Sequence, residues 1–466
     1  MPARLVSIGR GARRRARTIA LLTVPLVAAG SGCASASQEI AAPAPQALAD
    51  LWDRERLPLP PAPLVTHEMV EAQVARIVRD GAGLFESEVL GQSVEGRNVH
   101  HLTVGRGPKA VLLWSQMHGD EPTATSALFD LCQWITAHRQ EPVTARLLDA
   151  LTLHIVPMVN PDGAERFQRR NAQGLDINRD ALHLQTPEGQ LLKALRDKVS
   201  PVIGFNLHNQ NWRTSVGTPP QPAAISLLAV AYDEARSEDQ RRQLTKRASS
   251  VIVDALQPFA AGRIGRYDDA FEVRAFGDNI TKWGTGVVLI ETGPWPGPDP
   301  DRALVRINFV ALVSVLDALA SGRVSQADPA RYEQLPENDS NLFHTIVKGG
   351  TVIPGTPVAP FKADVGIAGT RVVRKGPKGR ELRWQASIQD LGDLRVYGAL
   401  ETVDATGLFV TPAYTSAGAG ANVVLPPPSA AASAPRVGPG GPARLWLLRK
   451  GSEAGAYTVV RVIDIR

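Results

Sequence analysis

The chain has 466 residues, 44% of them hydrophobic, a formal charge of +5 at pH 7 and two cysteines, which allows two or three domains and a large core. With Cys33 lipidated or cleaved off, the two cysteines leave no disulfide framework, so stability has to come from packing. Residues 1–32 hold six arginines and no acid, so the remainder carries about −1, and nothing in that balance points to a nucleic-acid partner.

Residues 1–33 read as a bacterial export signal. Arg10, Arg13, Arg14, Arg15 and Arg17 form a basic start, Thr18 to Ala29 an apolar stretch, and Gly30-Ser31-Gly32 leads small residues into Cys33. That is the form of a lipoprotein signal, with Cys33 lipidated and the mature chain periplasmic, held to the outer membrane. Gly30 stands where such signals usually carry an aliphatic residue, and cleavage near Ala34 to Ala36 is the other reading. The apolar stretch is too short for a membrane span. Residues 34–64, rich in Pro and Ala, predict an extended tether. No pro-segment is evident, so the exported chain is expected to be active without trimming.

From 65 to 325 strands and helices alternate, the pattern of an α/β domain with a mixed sheet flanked by helices. Thr66 predicts an N-cap for a helix with Met69, Val70, Val74 and Ile77 on one face. Val99 to Val104 and Ala110 to Trp114 predict strands around a Gly-Arg-Gly-Pro turn. A helix over Ala124 to Arg139 follows, with Cys132 on its apolar face, then a strand over Leu151 to Met158. Thr186-Pro187 opens another helix. Val202 to His208 is a strand, followed by a long loop and a helix through Leu244, Val251 and Ile252. Gly286 to Glu291 is an apolar strand, and the last helix, through Leu304 and Val315, stops at Gly322.

Residues 326–466 change character. Short alternating runs over Leu382 to Ile388, Leu394 to Leu400, Leu408 to Tyr414, Arg444 to Arg449 and Tyr457 to Ile465 predict a small β domain. The Ala/Gly/Pro/Ser-rich stretch 415–442 predicts a disordered insertion.

The chemistry gathers at strand ends. His118 and Glu121 lie in the sharp turn between a strand and a helix, where open α/β sheets place ligands. A spacing of three lets an imidazole and a carboxylate converge on one ion, although the pattern alone is common and a solvated surface turn carries it too. A catalytic zinc site needs a third protein ligand and an open position. His208, at the end of an apolar strand, is well placed for that, though such a histidine is more often structural. Arg169, Asp176, Asn178 and Arg179 crowd one charged loop, and Arg97 adds another guanidinium upstream. Glu291 ends an apolar strand, where desolvation raises a carboxyl pKa as a general base requires.

In this order the motifs resemble the M14 metallocarboxypeptidases, over about residues 66–320. The resemblance implies one zinc ion held by His118, Glu121 and His208, with Asp176 orienting His118. It implies Glu291 as general base and proton shuttle and Arg169, or Arg170 one residue along, at the scissile carbonyl. Asn178 and Arg179 would bind the substrate's terminal carboxylate, Arg97 would assist, and Tyr267 would cover the substrate, although its Arg266-Tyr267-Asp268-Asp269 context differs from the family's. Asp278, in the segment that sets side-chain preference, would either favour a basic group or cap a turn. His208 is followed by Asn-Gln-Asn in place of the usual Ser-Tyr. The implied activity is hydrolysis of a peptide's last bond by a monomeric enzyme with a peptide substrate. A murein-peptide amidase of the same fold and an inactive zinc-binding module are the alternatives.

Overall fold

The computed structural model describes residues 40–57, 64–354, 358–376, 379–425 and 436–465; Cys33 and the rest of the predicted signal lie outside them. Two eight-stranded sheets carry the chain from residue 41 onward.

The first sheet is built from β1 (Phe85–Gln92), β2 (Asn98–Gly105), β3 (Lys109–Ser115), β4 (Leu151–Val156), β5 (Ile203–Asn209), β6 (Ile225–Ala229), β7 (Ile264–Arg266) and β8 (Gly286–Thr292). Their spatial order is β1-β2-β4-β3-β5-β8-β6-β7. The centre, β4-β3-β5-β8, is parallel and the flanks include antiparallel pairs, so the sheet is mixed. Parallel strands covered on both faces read as continuous apolar runs, and Val111 to Trp114 and Val287 to Val288 are fully buried accordingly. The helices are α1 (Pro45–Glu55), α2 (His67–Gly81), α3 (Thr123–Ala137), α4 (Pro142–Ala150), α5 (Pro161–Arg166), α6 (Pro187–Val199), α7 (Gln240–Ala260), α8 (Phe276–Lys282) and α9 (Pro300–Ser321).

Thr66 and Thr186 cap α2 and α6 through side-chain oxygens that accept from Met69 N and Gly189 N. α9 is long and apolar enough to cross a membrane, but it is a core helix, packed against α1, α3, α4 and α7. Gly322 ends it at a left-handed φ of 77°. Cys132 is a free, buried core residue on α3.

Four expectations need correction. Within the predicted tether, α1 is a packed helix: Leu48, Ala49 and Trp52 are buried. Trp52 Nε1 donates to Asp130 Oδ2 at 2.7 Å and Leu57 N to Asp130 Oδ1 at 3.1 Å, so a partner on α3 makes this helix, which composition alone misses. The predicted long loop after His208 holds β6, buried at all five residues; the run Ala223 to Ala231 has no period that separates strand from helix. Packing onto the first layer continues past 325, where buried Tyr332 accepts from Ala229 N at 3.0 Å. Finally, Asn422–Val424 inside the predicted insertion is a strand paired with Ala456–Ile463, while 426–435 fall outside the described residues.

The second sheet comprises β9 (Leu342–Val352), β10 (Phe361–Gly376), β11 (Gly379–Gly392), β12 (Gly398–Asp404), β13 (Phe409–Pro412), β14 (Asn422–Val424), β15 (Leu445–Lys450) and β16 (Ala456–Ile463). The run Leu394 to Leu400 is displaced: Leu394 is a buried loop residue and the strand starts at Gly398. The sheet buries its own core around Val347, Val365, Ile367, Leu445 and Leu447. It meets the first layer through the Arg371–Asp301 pair, at 2.8 and 3.2 Å, and the edge-on Trp212–Trp384 contact, 5.4 Å between ring centroids.

Burial pushes the Asp130 carboxyl from 3.8 up to about 6, although the Leu57 and Trp52 donors oppose it. The folded state therefore binds this proton more tightly than the unfolded chain, so its contribution is full below pH 4 and lost as pH rises through about 6. Up to about 3 kcal/mol is at stake. Comparing urea midpoints at pH 4.5 and 7 should show a smaller drop in Asp130→Asn than in the native chain; equal drops would remove Asp130 as the cause.

Candidate active site

β3, β5 and β8 end at one edge of the first sheet. Parallel pairing sets Glu291 of β8 beside His208 of β5, and Leu207 of β5 beside Ser115 of β3. The chain then turns sharply. Gln116 takes a left-handed φ of 49°, and its side chain holds the turn: Nε2 donates to the carbonyls of Val65 (3.3 Å) and Gly119 (3.0 Å), and Oε1 accepts from Thr125 at 3.0 Å. A Cβ on Gly119 would lie 2.0 Å from the carbonyl carbon of Gly163 on α5, so only glycine lets the two backbones touch here.

This turn aims His118 and Glu121 at His208. His118 Nδ1 lies 2.7 Å from Glu121 Oε1 and 3.1 Å from His208 Nδ1, and His208 Nδ1 lies 2.7 Å from Glu121 Oε2. All three side chains are buried and their donor atoms fall within 4.8 Å of one another. Two imidazole nitrogens facing each other across a carboxylate fit a zinc ion, which takes His nitrogen and carboxylate oxygen. The cluster already draws a cation: Arg169 Nη1 approaches His118 Nδ1 at 3.1 Å and Glu121 Oε1 at 3.4 Å. Asp176 Oδ1 lies 3.2 Å from His118 Nε2. With Nε2–H donated there, Nδ1 presents its lone pair to the cluster. Asp176 also receives Arg169 Nε at 3.0 Å and Asn178 N at 2.9 Å.

The electrostatics follow from burial. Desolvation alone would raise Glu121, but His118 and His208 outweigh it and hold its carboxyl well below the usual carboxylate range. Burial opposes charge on His118 too, yet Glu121 and Asp176 lift it to about 9. Glu291 has no such partner: burial first, then the Glu121 charge, raise it to about 8, and its Oε2 is buried with no hydrogen-bond partner among the described residues. A divalent cation at the cluster would pull that pKa back down and leave a base at neutral pH.

The predicted residues divide into three groups. Arg169, not Arg170, is at the cluster; Arg170 Nη1 donates away to the Gly174 carbonyl at 3.0 Å. Asn178, Arg179 and Tyr267 lie on a second side. Asn178 Oδ1 accepts from Phe276 N at 2.9 Å, opening α8, and Arg179 acts on Asp176. Burial, with Glu291 and Glu121 nearby, pushes the Tyr267 hydroxyl up to about 12. Asp278 closes the loop before α8, accepting from Glu272 N at 2.9 Å. Arg97 Nη1 is 2.5 Å from Glu95 and 2.7 Å from buried Asp162, which braces the 93–97 turn. One partner escaped the sequence altogether, Glu272, 3.3 Å from Arg179 Nε.

A cavity of about 840 Å³ opens from Glu121 and Arg169; Trp295 lines it, as does the cluster of Trp212, His344 and Trp384, whose rings touch. Trp212 stands directly behind the third ligand in sequence, but nothing in the local pattern around Trp384 announces that it faces this cavity.

The fold and the donor set together define a mixed α/β protein with a candidate three-ligand metal site. Residues 71–215 match the family model for zinc carboxypeptidases, peptidase M14, and over that segment the chain is similar to this family. Mouse carboxypeptidase M is 30% identical over 130 residues, 24% of this chain and 29% of that protein. Rat carboxypeptidase D is 32% identical over 182 residues, 35% of this chain and 12% of that protein. The chain thus spans less than a third of the length of either relative. The crystal structure of a metallo-carboxypeptidase from Burkholderia cenocepacia overlaps 54% of this chain and 69% of its own at 19% identity, with a TM-score of 0.45.

Gly119→Ala should separate the His118 turn from α5. The expected result is a stability loss of about 1–3 kcal/mol in urea unfolding of the metal-free chain and zinc affinity weaker by about tenfold or more. Native-like values for both would show that the close backbone approach is dispensable.

Proposed function

We propose that the protein is a zinc-dependent exopeptidase that removes the last residue of a peptide. The observation that carries this reading is the desolvated Glu291 carboxylate set in register beside a buried His–Glu–His donor set. A zinc ion held by His118, Glu121 and His208 would supply Lewis acidity at the scissile bond. Glu291 takes a proton from the attacking water as its oxygen adds to the carbonyl carbon. It then delivers that proton to the amine nitrogen as the C–N bond breaks, so the group ends as it began. The Arg169 guanidinium faces the charge that develops on the carbonyl oxygen. Arg179, with Asn178, offers a planar fork to the substrate's terminal carboxylate, which a guanidinium binds in two parallel hydrogen bonds. Binding there displaces Glu272, the carboxylate now beside Arg179.

The cavity takes the peptide upstream of the scissile bond. Its tryptophans, Trp384 of the second sheet among them, supply apolar contact area for an extended chain, and this gives the second sheet a role in recognition. The basic, apolar, small-residue sequence of 1–33 supports a periplasmic setting, with anchoring through Cys33.

Incubating the full-length chain with a panel of peptides and muropeptides, read by mass spectrometry, tests the reaction. Loss of single C-terminal residues is expected, abolished by a chelator and reduced about 10²–10⁴-fold in Glu291→Gln. No release from any substrate, or release unaffected by chelation, would refute it. Trp384→Ala separately should raise KM for peptides of five or more residues while leaving a blocked dipeptide unchanged. Equal effects on both lengths would remove the second sheet from the binding site.

A further inference from the structure

Away from this site, a second set of donors converges on two other elements. His67 and Glu71 lie one helical turn apart on α2, and His100 lies on β2. One donor atom from each falls within 4.8 Å of the others. Glu71 Oε1 is the centre: His67 Nε2 is 3.3 Å from it and His100 Nε2 is 2.8 Å from it. The Asn98 main-chain oxygen adds a fourth donor, 3.1 Å from His67 Nε2, while the Asn98 side chain donates to Glu71 Oε1 at 3.2 Å.

His100 is the telling member. It is 7% exposed. Nε2 reaches the Glu71 carboxylate, but Nδ1 is a buried polar atom left unpaired among the described residues, which is costly. A metal ion beside Glu71 can accept an imidazole lone pair directly.

We propose that His67, Glu71 and His100 form a second metal site, specific for a borderline transition ion such as Zn²⁺. Two imidazole nitrogens with a carboxylate and a carbonyl oxygen suit Zn²⁺ or its neighbours, whereas Ca²⁺ and Mg²⁺ prefer all-oxygen shells. His67 and Glu71 at i and i+4 share one helix face, and His100 answers them from the sheet. The bound ion therefore pins the start of α2 to β2. None of the three residues takes part in the hydrolytic centre, so the proposal stands whether or not the protein is a peptidase.

The test is the zinc content of the full-length chain, stripped with chelator, reloaded with Zn²⁺ alone and passed through a desalting column. The native chain is expected to retain two ions, His118→Ala/His208→Ala one, and His67→Ala or Glu71→Gln also one. Addition of Zn²⁺ should raise the Tm of His118→Ala/His208→Ala, and that rise should vanish when His67→Ala is added. No ion retained by His118→Ala/His208→Ala, or two in both His67→Ala and Glu71→Gln, overturns the proposal. His67 and Glu71 are partly exposed, so these variants report on binding without excavating the core.

Discussion

The parallel pairing of β5 with β8 is the constraint on which the site depends. It places His208 and Glu291 side by side at one sheet edge, at the spacing of neighbouring strands. The turn after β3, closed by Gln116 and Gly119, brings His118 and Glu121 against the same point. A shift of one residue in either strand would turn one of these side chains to the opposite face. The apolar runs that make β3, β5 and β8 central strands therefore also bring the candidate site residues to one edge.

The same burial creates an imbalance that a cation resolves. Glu121 is held charged by two imidazoles, and Glu291, whose Oε2 has no hydrogen-bond partner among the described residues, is raised to about 8. Arg169 brings a positive charge to the cluster from its exposed side; its side chain is 42% exposed. Asp176 serves both cations at once, orienting His118 on one oxygen and receiving Arg169 on the other. A small set of carboxylates thus organises every positive group around the cleft.

Much of this could be read in the chain before any coordinates. His208 and Glu291 each close an apolar run, and His118 follows one in the next turn; an apolar run that leads into a titratable residue marks both a strand and a candidate functional edge. What could not be read depends on partners distant in sequence. Trp52 makes α1 a packed helix only because Asp130 waits 78 residues away. The uniform apolar run of β6 carries no period, so it passed as loop. Glu272 pairs with Arg179, and Trp384 faces Trp212, across separations that no local pattern encodes. Asp162, which binds Arg97 from 65 residues away, reads locally as a turn residue. The second sheet showed its late strands by alternation, yet its place along the cleft follows from tertiary packing alone.

The central claim is that the site hydrolyses a bond next to a free chain end, with Arg179 as the carboxylate clamp. Two peptides identical except for a free or an amidated C-terminus put it to the most direct test. The account predicts that the zinc-loaded chain removes one residue from the free acid and leaves the amide intact. Equal cleavage of both, or cleavage at internal bonds, would contradict it.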